Sequence, residues 1–271
     1  MLRYVPATFH VPKHSVPPLP AEPPVIPAVP KDAASVMLLR PADAGGVEVF
    51  LQRRVAAMAF AGGMTVFPGG GVDARDADAP VRWAGPPPGQ WAEWFGCSES
   101  LARALVCAAV RETFEESGVL LAGSESATVP DTARYRAARA ALVSRELSLA
   151  EFLADAGLLL RADLLRPWAN WVTPEEERRR YDARFFVAAL PEGQHADGRT
   201  TEAESTGWRR PADAIDEAAA GTSALLPPTW FMLDELSRCT SVGQALAMTR
   251  SIPKVTPRIV VDGEVIRVEV P

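Results

Sequence analysis

A mixed α/β (α+β) domain is what this sequence predicts, and three observations predict it. Short apolar runs rich in β-branched and aromatic residues recur from Ala34 to the C-terminus. Longer segments with helical spacing alternate with them. The composition, 48% hydrophobic and 23% charged over 271 residues, is that of a globular chain able to bury one large core.

The elements follow in chain order. Residues 1–30 hold nine prolines. Proline lacks the backbone N–H, so this stretch is expected to make neither ladder nor helix and to favour polyproline II, as an arm that is loose or laid along a neighbouring surface. Residues 31–271 are expected to form one domain, with insertions near 73–97 and 130–165 and a C-terminal helical and hairpin extension. SVMLLR (35–40) and GVEVFLQRR (46–54) read as adjacent strands around Pro41, Asp43, Gly45 and Gly46. MTVFPGGG (64–71) reads as a short strand entering a glycine turn. Residues 73–97, rich in Pro, Asp, Gly and Trp, show no period and read as an inserted loop. Ser98 to Ser117 reads as a helix capped by Ser98 or Ser100 and ended by Gly118 in the left-handed conformation. VLLA (119–122) reads as a strand or strand entry, and 131–157 as helical with a break near Glu146–Ser148. NWVTP (170–174), RFFVAALP (184–191) and the stretch up to Trp208 are strand-like. Helices are expected after Pro211, in PPTWFMLDELSR and in SVGQALAMTR, and Asp262-Gly263 marks a terminal hairpin.

Composition narrows function. A net charge of −6 argues against a general nucleic-acid binder, which needs a basic face. It leaves room for a phosphorylated small molecule, because a divalent cation can supply the missing positive charge. The three cysteines make no CxxC pair, which argues for a reducing compartment over a disulfide framework. The three histidines are scattered. No apolar run approaches the roughly 20 residues of a membrane span, and the N-terminus lacks a signal-peptide core. A cytoplasmic location with no membrane partner is the default expectation. A homodimer stays open.

The stretch that carries chemistry is Arg111-Glu112-Thr113-Phe114-Glu115-Glu116-Ser117-Gly118-Val119. At about 3.6 residues per turn, Glu112, Glu115 and Glu116 share one helix face. Like charges so spaced repel, and burial raises that cost and their pKa values. A hard divalent cation reverses the sign, because it prefers oxygen ligands. Arg111 can offset one charge or orient one carboxylate. A solvated acidic face is the plain alternative. Gly118 after the last carboxylate, and Phe67-Pro68-Gly69-Gly70 upstream, favour a phosphate or metal site, since backbone at glycine can approach a phosphate or offer a carbonyl.

These residues resemble the Nudix hydrolase superfamily, whose signature is G-x5-E-x7-R-E-U-x-E-E-x-G-U with U apolar. The chain carries RETFEESGV at 111–119 and FPGG at 67–70. It departs in three ways. Thr113 stands at the first U, and Arg103 stands where the first glutamate belongs. Gly70 and Arg111 are 41 positions apart, so about 27 residues are inserted. FPGGGVDARDAD, WVTPEEERRRYDARFFVAALPEG and LPPTWFMLDEL narrow the likeness to the branch that includes the mammalian peroxisomal coenzyme A diphosphatases.

The resemblance implies a Nudix fold, a mixed β-sheet sandwiched between helices. It implies a pyrophosphatase that splits a nucleoside diphosphate linked to another group, coenzyme A or acyl-coenzyme A first. Alternatives are a broader nucleotide diphosphatase acting on NADH, ADP-ribose or a capped RNA end, and a non-catalytic Nudix-fold regulator. Glu112, Glu115 and Glu116, with the Gly69 carbonyl, would hold Mg²⁺ or Mn²⁺. Glu116, Glu115, Arg111 and Glu202 would be catalytic, Glu202 as proton acceptor with Glu204 as fallback. Arg54, Gly69 and Gly70 would bind substrate. The coenzyme A motif upstream is matched at Arg54, Met58, Gly63 and FPGG, but Val55, Ala59, Ala61 and Met64 replace its Ser, Arg, His and Glu. Arg53 could meet a phosphate or end a strand in solvent. Trp83, Trp91 and Trp94 could stack on an adenine or cover an acyl chain, although anchoring the insertion is the preferred reading. Arg178, Arg179 and Arg180 could sit in solvent or beside a 3′-phosphate.

Overall fold

The computed structural model describes residues 8–16, 20, 22–78 and 80–270. In chain order the elements are β1 (Thr8–Pro12), β2 (Lys31–Pro41), β3 (Val47–Arg54), β4 (Thr65–Val66), β5 (Gly69–Gly71), α1 (Ala74–Asp78), β6 (Trp83–Ala84), α2 (Pro88–Phe95) and α3 (Glu99–Ser117). There follow β7 (Ala122–Gly123), α4 (Arg136–Val143), α5 (Leu149–Asp155), β8 (Leu159–Arg161), β9 (Leu165–Val172), β10 (Tyr181–Ala189) and β11 (Ala203–Arg209). The chain ends in α6 (Pro211–Ala219), α7 (Pro227–Ser237), α8 (Val242–Ala247), β12 (Lys254–Val255), β13 (Arg258–Asp262) and β14 (Val265–Glu269).

The central sheet runs β11-β3-β2-β10-β9-β12, with β4 on β3 and β5 on β2. β10 is parallel to β2 and β12 to β9, while the other pairs are antiparallel, so the sheet is mixed as expected. Side chains alternate between its faces, and each face is buried. Val36, Leu38 and Phe186 join one core with α2, α3 and α5. Met37, Leu39, Phe185 and Val187 join the other with α6, α7 and α8. The sheet is thereby sandwiched between helices.

One irregularity shapes the site. β2 and β3 pair only from Leu39↔Val49 to Pro41↔Val47. Beyond that they diverge, β2 pairing with β5 and β3 with β4. The turn Phe67-Pro68 spans the resulting split.

Three expectations are corrected. The proline-rich segment does form a ladder, because Thr8–Pro12 pairs antiparallel with β14. Its Phe9-His10-Val11 core has no proline, and Pro12 sits at the end where the missing donor costs least. The rest of that arm falls partly outside the described residues, at 1–7, 17–19 and 21. The glycines of MTVFPGGG are not the turn itself. Gly69–Gly71 extend as a strand, and the preceding Phe67-Pro68 makes the bend. Residues 73–97 are not plain loop, since they hold α1, β6 and α2. α2 carries a signal that went unread: proline at its first position and Gly96 in the left-handed region (φ 61°) at its end. Trp91 and Phe95, one turn apart on α2, pack on Phe186.

Other elements match their expectation. Ser98, rather than Ser100, caps α3 by accepting from the Leu101 N–H, and Gly118 ends it at φ 75°. The break in 131–157 falls between α4 and α5. Asp262-Gly263 joins β13 to β14 in an antiparallel hairpin. All three cysteines are free. Among the described residues no helix is long and apolar enough to cross a membrane.

Candidate active site

The site lies where the last turns of α3 face the split in the sheet. α3 buries Leu105, Ala108, Ala109 and Val110 in the core, and the same helical period turns Glu112, Glu115 and Glu116 toward β4 and β5. Thr113, at the position where the signature expects an apolar residue, is fully buried and donates its hydroxyl to the Ala109 carbonyl (2.7 Å). A hydroxyl bonded back one turn is tolerated in a helix core.

Glu116 is the deepest of the three, at 3% exposure. Its Oε2 accepts from Gln52 Nε2 (2.6 Å) and from the Gly69 N–H (2.7 Å). Its Oε1 is buried and accepts no hydrogen bond, with Arg54 Nη1 3.9 Å away. Burial drives its pKa well above the usual carboxylate range, with the Glu112 charge adding to the rise. Glu112 is raised to about 7, first by burial and then against the pull of Arg111. Glu115 is raised for the same first reason.

Gly69 is required by a close approach to β2, and Gly70 lies directly against the Glu112 carboxylate. A Cβ there would stand 2.5 Å from Glu112 Oε1, and one on Gly69 would stand 2.5 Å from the Ala34 carbonyl and Ser35 Oγ. Glycine at 69 lets the strand run against β2, and glycine at 70 leaves the Glu112 carboxylate where it is.

Arg111 ties the cluster together. Its Nη1 donates to Glu112 (2.7 Å) and Glu115 (3.4 Å), and its Nη2 donates to the Gly71 carbonyl (3.0 Å). Its Nε and Nη2 both reach Asp76 on α1, at 3.0 and 2.9 Å. Burial opposes the guanidinium charge, but the Asp76 hydrogen bonds and the nearby glutamates raise its pKa overall. Asp76, 4% exposed, also accepts from the Asp73 N–H.

The eight residues first nominated for metal, substrate and catalysis line one cleft of about 1100 Å³: Arg54, Gly69, Gly70, Arg111, Glu112, Glu115, Glu116 and Glu202. Glu202 lies at its rim, where its carboxylate accepts from Arg54 Nη2 (3.2 Å). Glu204 instead turns to the Ala56 N–H and to Arg53 (3.8 Å), off the cleft lining. Arg53 is exposed. Trp91 and Trp94 pack edge to face at 4.9 Å in and beside the core, and Trp83 and Trp91 both donate to the Pro86 carbonyl. The tryptophans therefore anchor the inserted segment and do not line the cleft. Arg178 and Arg179 line it, whereas Arg180 is buried and donates to Thr173 and Ala28 carbonyls.

Gln52 and Asp76 were not found from sequence. Gln52 did leave a trace, because it shares a face of β3 with Phe50, where alternation calls for an apolar residue. Asp76 left none, since it meets Arg111 across 35 positions.

The arrangement suits a divalent cation. Asp76, Glu112, Glu115, Glu116 and Glu202 outnumber the paired Arg54 and Arg111, the ligand atoms are all oxygens, and one buried carboxylate oxygen accepts no hydrogen bond. Among the described residues no three His, Cys, Asp or Glu side chains are gathered into a ready-made metal cage. Arg111 holds Glu112 and Glu115 instead, so their carboxylates would have to turn from it to ligate.

Comparison with known proteins gives the family and the fold. A sequence model of the NUDT19 Nudix domain matches residues 98–238. The chain is similar to the putative nudix hydrolase 7 of Caenorhabditis elegans, 31% identical over 193 residues that make up 70% of this chain and 56% of that protein. It is also similar to the acyl-coenzyme A diphosphatase NUDT19 of Xenopus laevis, 24% identical over 51% of this chain and 40% of that protein. The chain thus spans about half the length of these curated relatives. A crystal structure of a NUDIX hydrolase from Alicyclobacillus acidocaldarius superposes with a TM-score of 0.69 at 25% identity, covering 83% of this chain and 99% of that one.

Proposed function

Because the chain belongs to the NUDT19 Nudix domain family and is a Nudix hydrolase, we propose that it hydrolyses the diphosphate linkage of coenzyme A or an acyl-coenzyme A with Mg²⁺ or Mn²⁺ bound. The observation that carries the reading is the convergence of Glu112, Glu115 and Glu116 on the Gly69-Gly70 strand, with Glu116 Oε1 buried and accepting no hydrogen bond. The name of the Xenopus relative supports the substrate class.

In this reading Glu112, Glu115, Glu116 and the Gly69 carbonyl would hold the cation. When bound, it neutralises diphosphate charge and lowers the pKa of a bound water. The protein's own groups do the rest. Gln52 and the Gly69 N–H fix Glu116 Oε2, which leaves Oε1 free to ligate. Arg111, anchored by Asp76, orients Glu112 and Glu115. Arg54 meets a phosphate oxygen. Glu202, beside Arg54 at the rim, accepts the proton of the attacking water as a P–O bond of the diphosphate breaks. The products are an adenosine bisphosphate and a phosphopantetheine or its acyl form.

The replacement of four residues of the coenzyme A motif by Val55, Ala59, Ala61 and Met64 favours a second reading, a broader nucleotide diphosphatase. Product analysis with Mn²⁺ and coenzyme A, acyl-coenzyme A, NADH, ADP-ribose and capped RNA separates the two. Cleavage of the coenzyme A compounds to the products above is expected. NADH split while both coenzyme A compounds stay intact would overturn the first reading.

A further inference from the structure

The end of α3 is held by more than its own cap. Gly118 already closes the helix in the left-handed region, with its N–H on the Phe114 carbonyl. The carbonyls of the same turn are nonetheless claimed from elsewhere in the chain. Arg139 on α4 donates from Nε to the Glu115 carbonyl (3.0 Å). The Asp197 N–H donates to the Ser117 carbonyl (2.8 Å), and the Thr132 hydroxyl donates to the Gly118 carbonyl (2.9 Å).

Arg139 joins two of these contacts into one. Its Nη1 donates to Asp197 Oδ1 (2.7 Å) while Nε holds Glu115. The pair lies directly against Gly118, where a Cβ would stand 2.8 Å from Arg139 Nη1 and 3.3 Å from Asp197 Oδ2. Arg139 is 8% exposed, and its Nη2 is buried with no hydrogen-bond partner among the described residues. That nitrogen gives up water without gaining an acceptor, a cost that a cap made at the surface avoids. α4, in the inserted stretch, is firmly seated on the acidic turn. Phe114 stacks on Phe152 of α5 at 5.6 Å between centroids, and Tyr135, just before α4, meets Phe152 edge on at 5.2 Å.

From Asp197 the chain runs to the rim of the cleft through short-range hydrogen bonds. Asp197 Oδ1 also accepts from the Arg199 N–H (3.0 Å). The Thr200 N–H donates to the Gly198 carbonyl (2.9 Å), and the Glu202 N–H donates to Thr200 Oγ1 (3.2 Å). The Glu202 carbonyl accepts from the Val55 N–H (2.9 Å), the residue after Arg54. One guanidinium thus bridges the turn that carries Glu115 and Glu116 and the segment that carries Glu202.

We propose that Arg139 is a positioning residue, which grips the Glu115 carbonyl and Asp197 together and so sets Glu202 relative to the acidic turn. The proposal rests on the diphosphatase reading for the role of Glu202, but not for the tie between the two segments. An arginine suits the task because its planar fork engages two acceptors in fixed directions, which a lysine ammonium on a flexible stem does not. Its charge also complements the C-terminal end of the helix.

The test compares the full chain with Arg139→Gln, Arg139→Lys and Asp197→Asn, with thermal melts to verify folding. If Arg139→Gln does not fold, Asp197→Asn carries the test, because that side chain is 39% exposed. Hydrogen–deuterium exchange without metal or substrate reads the tie. Amides of 115–118 and 197–202 should exchange together about fivefold faster or more, with β2 and β10 unchanged. Unchanged exchange in either segment would overturn the proposal. Cleavage of coenzyme A with Mn²⁺, or of NADH where that is the compound split, reads the positioning. In Arg139→Gln and Asp197→Asn kcat should fall about 10- to 100-fold with KM within about twofold, and Arg139→Lys should not restore it. In a Glu202→Gln background the same substitutions should cost less than about threefold, because the group they place is already gone. Equal losses in both backgrounds, or a wild-type kcat in the folded variants, would contradict the positioning role. Normal turnover in Glu202→Gln alone would instead sink the proton-acceptor reading, and the exchange result would then decide the tie by itself.

Discussion

Two stretches feed the same arginine, and they differ in how they do it. The final turns of α3 carry Arg111, Glu112, Glu115 and Glu116 within six positions, so one helical period sets their geometry. α1 in the inserted stretch supplies Asp76 from 35 positions away, and only the folded chain brings it to Arg111. The first arrangement holds mutually repelling groups that burial has pushed above their ordinary pKa. The second is a buried, multiply hydrogen-bonded ion pair that stabilises charge. The lesson is that the acidic turn costs the fold something that a bound cation would offset, while its counterweight comes from a segment that looks dispensable in sequence.

The largest effect separates function from stability at the acidic turn. Glu116→Gln should lower turnover by about a thousandfold, the scale for losing a positioned carboxylate. In EDTA its melting temperature should match or exceed that of the wild type, because a buried charge is removed. Near-normal turnover would break the assignment of Glu116, and a collapsed fold would break the contrast.

The next variant attacks the counterweight. Asp76→Ala leaves Arg111 buried with the Gly71 carbonyl and, as counter-charges, the two glutamates that a cation would claim. A stability loss of about 3 kcal/mol is expected, as for a buried pair with one partner removed. Metal affinity or activity should fall about 10- to 100-fold, as for other groups that orient metal ligands. Denaturant unfolding and Mn²⁺ titration measure the two, and a variant as stable as the wild type would show that Asp76 matters little.

A pH series sharpens the cost of the turn. Glu112 has a folded pKa of about 7, above its unfolded value near 4.3, and Glu115 and Glu116 shift the same way. The folded state then holds protons that the unfolded state releases, so this stability is present at low pH and is lost as pH rises through about 7. The metal-free protein should lose on the order of 1–2 kcal/mol between about pH 5 and pH 8, and Mg²⁺ should restore it at pH 8. A flat profile from this cluster would mean the carboxylates are better solvated than their burial implies.

The smallest effect concerns the start of α3, far from the chemistry. Ser98→Ala removes the cap on the Leu101 N–H and should cost about 1 kcal/mol in a thermal melt with kcat unchanged. A lowered kcat would show that the helix start and the acidic turn are coupled.

How much was legible follows from the same contrast. α3, its caps and its acidic face could be read because local spacing fixes them. The hairpin at Asp262-Gly263 and the pair β2–β3 followed from turn chemistry and alternation. Gln52, Asp76 and the pairing of Thr8–Pro12 with β14 could not be read, because each depends on partners distant in sequence. α2 was missed for a different reason. Its proline start and glycine end were present, but the surrounding Pro and Gly content suggested loop.

The central claim is that α3 tolerates its crowded carboxylates because divalent ions sit among them. Anomalous scattering from crystals soaked in Mn²⁺ tests it most directly. The account expects manganese within ligating distance of Glu112, Glu115 and Glu116, beside the Gly69-Gly70 strand. No manganese there, with Arg111 still holding Glu112 and Glu115, would contradict it.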